Sequence, residues 1–278
     1  WYDTETLAPL PPRYVSTVDS GNLAGHLLTL RQGLLALIDA PVLAASTMTG
    51  LAHAYGVLRD SVRNSDWLDD AIGQALDDLG TQIDAAALQP PVTLVEAMRV
   101  LSAIDLQCAR LRDQFPPSLL HDDADSPHYW LRALHQQARH GRGEIEHLAP
   151  WLADAATDGR PESIAESRIP SLRQLKDLAE HPLARSRARE RIHQLERLAH
   201  LAGQMSLMEY GFLYDRGRTL LSIGYNVDER RLDEAHYDLL ASEARLCSFV
   251  AIAQGQLPQD TWFALGRLLT EVNGDATL

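Results

Sequence analysis

The sequence predicts an all-α fold, a partial α/α toroid of antiparallel helix hairpins with a small β-hairpin near 211–225. Three observations predict it. Apolar residues recur at close to the 3.6-residue period through most of the 278 residues. Paired prolines at 90–91 and 116–117, with short polar turns, cut that pattern into helices of roughly 12–25 residues, which suits stacked antiparallel hairpins. Two stretches, 13–18 and 211–225, break it with β-branched and aromatic runs. A plain bundle fits the same pattern, and no repeat at a fixed period separates the two.

In chain order, 13–18 reads as extended. The segment 22–38 places Leu23, Leu27, Leu30, Leu34 and Leu37 at helical spacing, with Ser20 or Asp19 as N-cap. Pro41 opens a second helix, to about Arg63. Ser65 or Asp66 opens a third, with Ile72, Leu76, Leu79 and Ile83 on one face, and 93–115 forms a fourth. His121 begins an acidic loop. The segments 127–138 and 144–155 read as separate helices divided by Gly141-Arg142-Gly143. Pro170 starts another helix. A long one over 183–208 carries Arg185, Arg187, Arg189 and Arg191, a basic face expected to be solvated. Runs 212–214 and 219–223 pair about a turn at 215–218, where Gly217 supplies backbone freedom. The pattern returns to helix over 232–253 and 259–269, and 270–278 reads as a polar tail.

Composition excludes several function classes. With 45% hydrophobic and 23% charged residues the chain is neither disordered nor fibrous. A formal charge of −13 disfavours nucleic acid and anionic lipid as partners, since both require clustered positive charge. The two cysteines, Cys108 and Cys247, lie in apolar helical patterns and read as buried thiols. No signal peptide is recognisable, and the longest apolar run, near 33–45, contains Asp39 and Pro41 and is too short to span a bilayer. The chain opens on Trp1, directly in a motif, and is expected to be a piece of a longer polypeptide.

Three segments can carry chemistry. Trp1-Tyr2-Asp3-Thr4 sets aromatic rings beside a carboxylate, which suits a sugar: pyranose faces stack on rings and hydroxyls bind carboxylates. Packing of a terminus explains it equally simply. Around Ser16 to Leu23, an extended segment enters a polar turn that opens a helix. Asp19, Ser20 and Asn22 would cluster at its N-terminus, and Gly21 would admit a ligand close to the backbone; plain capping is the alternative. The third is Tyr237 to Leu246. If helical, it gives Glu243 apolar neighbours at Leu239, Leu240, Leu246 and Cys247, an inward position. Burial would raise the carboxyl pKa, as a general acid requires; the alternative is a core Glu paired to an arginine or a helix end.

Other chemistry finds little support. Histidine pairs at 128/135, 140/147 and 193/200 are seven apart, whereas helical metal sites use three or four. No H-E-x-x-H, C-x-x-C or G-x-S-x-G occurs, and Gly141-Arg142-Gly143 lacks the further glycine and preceding strand of a dinucleotide loop. No metal site is expected.

Two blocks resemble the (α/α)6, glucoamylase-like module in the middle of bacterial cyclic β-1,2-glucan synthases: WYDTETLAPLPPRYVSTVDSGNLAGHL (1–27) and MEYGFLYDRGRTLLSIGYNVDERRLDEAHYDLLASEARLCSFVAIAQGQLPQDTWFALGR (208–267). Residues 28–207 look like the variable helical region between them. The resemblance implies that 1–278 is a fragment of one such module within a large bacterial inner-membrane enzyme. A separate glycosyltransferase domain polymerises glucose from UDP-glucose, this module cyclises the linear β-1,2-glucan by transglycosylation, and a phosphorylase-like domain trims chain length. The module itself would be soluble, on the cytoplasmic face, and would need no cofactor.

Retaining transfer requires two carboxyl groups roughly 5 Å apart. Glu243, in the ASEAR segment, is the candidate acid/base. Asp3 and Asp19 are candidate sugar ligands alongside Ser20 and Asn22, and Trp1, Tyr2 and Tyr225 are candidate stacking platforms. The family continues past WFALGR into a W-S-G-x-M-F-E-Y-type stretch and a further Glu-containing segment. The second carboxylate is expected there, and the fragment alone is expected to be inactive. Alternatives are a glycan-binding or spacer module, and a β-glucan hydrolase of the same fold.

Overall fold

A computed structural model describes residues 2–62, 70–115, 126–152, 168–238, 242–266 and 270–277. They form strand β1 (Tyr14–Ser16), helices α1 (Thr17–Ala36), α2 (Ser46–Val62), α3 (Asp70–Leu88), α4 (Leu94–Gln114), α5 (Pro127–Leu148), α6 (Leu172–Lys176) and α7 (Pro182–Met205). Strands β2 (Tyr214–Asp215), β3 (Leu220–Leu221), β4 (Gly224–Asn226) and β5 (Arg231–Leu232) follow. Helices α8 (Ala244–Ala253) and α9 (Asp260–Ala264) and strands β6 (Thr270–Val272) and β7 (Asp275–Thr277) complete the order. The mainly α reading with a small β-hairpin holds. The chain divides into two compact units, Ala36–Leu195 and the pair Trp1–Leu35 with Glu196–Leu278.

In Ala36–Leu195 the stacked hairpins take the form of a bundle. Helix α2 packs on α3 and α5, and α4 packs on α3 and α5, which closes a ring of four. The expected face of α3 is the buried one: Ile72, Leu76, Leu79 and Ile83 are buried, as are Leu51 and Leu58 of α2, Leu101 and Ile104 of α4 and Leu131 and Leu134 of α5. The Tyr55 hydroxyl donates to the Leu76 carbonyl at 2.9 Å, and its ring occupies the space that a side chain at Gly80 would need. Thr93 starts α4 with a capping box: its hydroxyl accepts the Glu96 N–H, and the Glu96 carboxylate accepts the Thr93 N–H.

The predicted break at 141–143 does not occur, because α5 runs unbroken through it. Gly141 is buried with Leu101 3.2 Å from where its Cβ would lie, so the glycine serves helix packing rather than a loop. The basic face of α7 is only partly solvated. Arg191 makes a two-pronged contact with Glu144 (3.0 and 3.2 Å), and Arg187 donates to the His147 carbonyl at 2.6 Å, both on α5.

The other unit joins the two ends of the chain. Its sheet has the antiparallel order β1-β4-β5, with Tyr14 opposite Asn226, Ser16 opposite Gly224 and Tyr225 opposite Leu232. Arg13 clamps the edge, its backbone N–H donating to Asp228 at 2.8 Å and its guanidinium at 2.7 Å. These contacts hold the Asp228 carboxyl below its ordinary pKa. The predicted hairpin is β2–β3, with Asp215 Oδ1 accepting from the Gly217 and Arg218 N–H groups across the turn. Behind these strands Tyr210, Leu213, Leu221, Cys247, Ala251 and Leu257 form a core. Cys108 and Cys247 are both buried free thiols, each pushed up to about 12 by that burial.

Four sequence readings of this unit are corrected. Helix α1 starts at Thr17, not Asn22, because β1 delivers the chain directly to Ser16, whose Oγ accepts the Asp19 N–H as N-cap. The predicted helix over 232–253 begins only at Ala244. The preceding backbone is held by the sheet instead: Asp233 N–H donates to Gly224, Ile223 N–H to Ala235 and Tyr237 N–H to Leu221. The polar tail is a hairpin, β6–β7, turning on Asn273 (φ 56°) and Gly274 (φ 89°). An Asn-Gly pair in this conformation matches the twist of the flanking strands. The final helix is also shorter than 259–269, ending at Ala264 in α9.

Candidate functional site

The site forms where the opening of α1 meets α8. Thr17, the first residue of α1, is fully buried. Its hydroxyl donates to the Ser222 carbonyl at 2.6 Å, and its N–H donates to Ile223. We expect Thr17→Val to cost about 1–2 kcal/mol, read by urea unfolding, because the shape is kept while this buried bond is lost. One turn on, Gly21 lies directly on α8: a Cβ there would sit 2.5 Å from the Cys247 Cα. A turn further, Gly25 receives the tip of Leu246, 3.1 Å from its would-be Cβ. Glycines four apart therefore let the two helices touch backbone to backbone.

Near this contact the Tyr237 phenol feels the charges of both Asp19 and Glu243. Tyr237 is half-buried and pinned by its N–H to the Leu221 carbonyl at 3.0 Å. Its phenol is pushed above its ordinary pKa first by burial, then by the negative charges of Asp19 and Glu243. One phenol thus lies within electrostatic reach of both carboxylates, although they are 224 residues apart in a chain of 278. Tyr237 was not singled out in the sequence. Only the pairing of its backbone with β3, a tertiary fact, brings it here.

Glu243 does not occupy the inward position predicted for it. It is exposed, in helical conformation one residue before α8, and its side chain makes no capping hydrogen bond. The predicted helical neighbours Leu239 and Leu240 lie outside the described residues. Leu246 shares the exposed side, and only Cys247 is buried. The physical reason is that the sheet holds 233–237 extended, so the helix that would have turned Glu243 inward starts too late.

The remaining candidates divide between structural and open positions. The Ser20 hydroxyl donates to the Ser16 carbonyl at 2.7 Å, a bond internal to the helix start. Asn22 is half-buried on α1 beside Gly21. Asp3 Oδ1 accepts from the N–H groups of Glu5 and Thr6 and from the Thr6 hydroxyl, which lowers its pKa and ties it to its own turn. Tyr2 is exposed and bridges only to Pro9 in the backbone pairing. Trp1 lies outside the described residues. Tyr225 packs edge-on against Phe212, with ring centroids 5.6 Å apart, on the margin of the core. Among the described residues no group of three or more His, Cys, Asp or Glu is placed to hold a metal, and no helix is long and apolar enough to cross a membrane.

Comparison with known proteins supplies what geometry alone does not. No family model matches the chain. Along its whole length it is 31% identical, over 291 residues, to a stretch of a protein of Rhizobium meliloti (strain 1021) named cyclic beta-(1,2)-glucan synthase NdvB. The resemblance drawn from two blocks therefore extends through residues 28–207 as well. The chain spans 9% of the length of that relative.

Proposed function

We propose that this chain is a segment of a cyclic β-1,2-glucan synthase and forms part of the module that closes linear β-1,2-glucan into rings by retaining transglycosylation. The observation that carries the reading is the full-length likeness to a glucan synthase. The juxtaposition of Asp19, Tyr237 and Glu243 supports it by offering carboxylates and a phenol on an accessible surface, as sugar hydroxyls require.

Glu243 is the acid/base in this reading. It protonates the glycosidic oxygen of the leaving glucan as a second carboxylate attacks the anomeric carbon. The far-end hydroxyl of the same chain then displaces that carboxylate, giving its proton back to Glu243. The second carboxylate comes from outside these 278 residues, so this chain alone is inactive. Exposure suits Glu243 to this role only if the substrate itself excludes water. A glucan laid over this stretch would exclude water from the carboxyl and the glycosidic oxygen together. Asp19 binds a sugar hydroxyl beside it. The UDP-glucose and phosphorylase-like steps, and the inner-membrane location, belong to the longer polypeptide.

The test is to supply the complete module with linear β-1,2-glucan and analyse the products by mass. Rings, lighter than the corresponding linear chains by one water, are expected. Shortened linear chains would make the module a hydrolase, and binding without turnover would make it a glycan-guiding spacer.

A further inference from the structure

We propose that Phe249 and Trp262 form a saccharide-stacking subsite that takes the apolar face of a glucose residue on the glucan path leading from Glu243. The inference rests on the glucan-processing reading above and adds a binding position to it. Phe249 is 59% exposed although it lies on α8, whose opposite side is buried core. Its ring meets Trp262 of α9 nearly edge to face, centroids 6.4 Å apart at 68°. The two rings, with Ile252 and Ala253, line an open hollow of about 380 Å³, and Gln259 stands at its rim.

The lining selects the ligand class. Two aromatic rings and two aliphatic side chains offer stacking surface, and one amide offers both a donor and an acceptor. A pyranose carries the matching pair of features, a face of C–H groups and a rim of hydroxyls. The exposed Gln259 amide can donate to or accept from one of those hydroxyls. The hollow also continues the candidate site. From Glu243, one residue before α8, through Leu246 to Phe249 the exposed positions climb about 9 Å and wind about a third of a turn around the helix, a course that a short β-linked saccharide follows only by wrapping α8. Leu246, leaning on Gly25, forms the apolar step between them.

The test uses the complete module, isotopically labelled and titrated with a linear β-1,2-gluco-oligosaccharide too short to close into a ring, while amide and indole resonances are followed. Saturable shifts are expected at the Trp262 indole and at the Phe249 amide, together with shifts at Tyr237 and Glu243. Phe249→Ala is expected to weaken the dissociation constant about five- to tenfold, the loss of one aromatic contact. Because the shifts are mapped on the unaltered module, they do not depend on how that variant folds. Shifts confined to Asp19, Tyr237 and Glu243 would overturn the subsite and leave the glucan reading standing. No saturable shift anywhere would overturn both for this chain. Shifts at Phe249 and Trp262 that follow protein concentration without sugar would assign the hollow to a second copy instead.

Discussion

Glu243→Gln in the complete module should lower ring formation by about a hundred- to ten-thousand-fold, the contribution of a positioned general acid. The substitution isolates chemistry from stability. The amide keeps the shape of the carboxyl, and Glu243 is exposed with no capping bond to lose. Its thermal unfolding should therefore stay within about 0.5 kcal/mol of the parent, as for an ordinary surface change. Gln can still accept and donate hydrogen bonds to sugar, so affinity for linear glucan should persist while turnover falls. Progress curves for ring formation, read beside a melting curve, decide the matter. A folded variant that cyclises at the original rate removes Glu243 from the mechanism.

Gly21→Val should be the most damaging single change in the unit built from the chain ends, costing about 3 kcal/mol or more. The obstacle is backbone: the new Cβ would lie 2.5 Å from the Cys247 Cα and 2.9 Å from its nitrogen, so α1 and α8 must move apart. A flexible neighbour could swing away, but a helix axis moves only by disturbing the packing on both its sides. Gly25→Ala is the internal control. There the nearest atom is the tip of Leu246 at 3.1 Å, which can change rotamer, so a loss below about 1 kcal/mol is expected. Urea unfolding of the two variants should separate them clearly. Adding Cys247→Ala to Gly21→Val should not restore stability, because it leaves the obstructing backbone in place; full rescue would show that the sulfur, not the helix approach, sets the limit. Loss of this contact should also separate Asp19 from Glu243, so any activity that needs both would fall with it.

The parts legible in the sequence were those set by local pattern. The face of α3, the capping box at Thr93 and the β2–β3 turn each depend on residues within a few positions of one another. The reading failed where a distant segment competed for the same backbone. Residues 233–237 have a helical pattern, yet the pairing of β4 with β1 and β5 claims their hydrogen bonds. That pairing joins Tyr14 to Asn226 and leaves no trace in any short window. Gly141 misled for a related reason, since a glycine that admits Leu101 looks in sequence like one that ends a helix. Asn273-Gly274 was a readable signal, hidden by the polarity of its flanks. At the site, the choice of Asp19 and Glu243 came from motif and resemblance. Their placement beside Tyr237, and the exposure of Glu243, required the tertiary structure.

The assembly of one unit from Trp1–Leu35 and Glu196–Leu278 makes everything between them a single enormous loop. The entropy of closing a loop grows only with the logarithm of its length, so halving or doubling Ala36–Leu195 would alter the pairing of β1 with β4 by only about 0.6 kcal/mol. The pairing of the ends therefore places almost no thermodynamic constraint on the size of the intervening insert. A bundle that folds by itself shortens that loop to the separation of its own two ends, and the insert is free to diverge in length and surface while the ends keep their register.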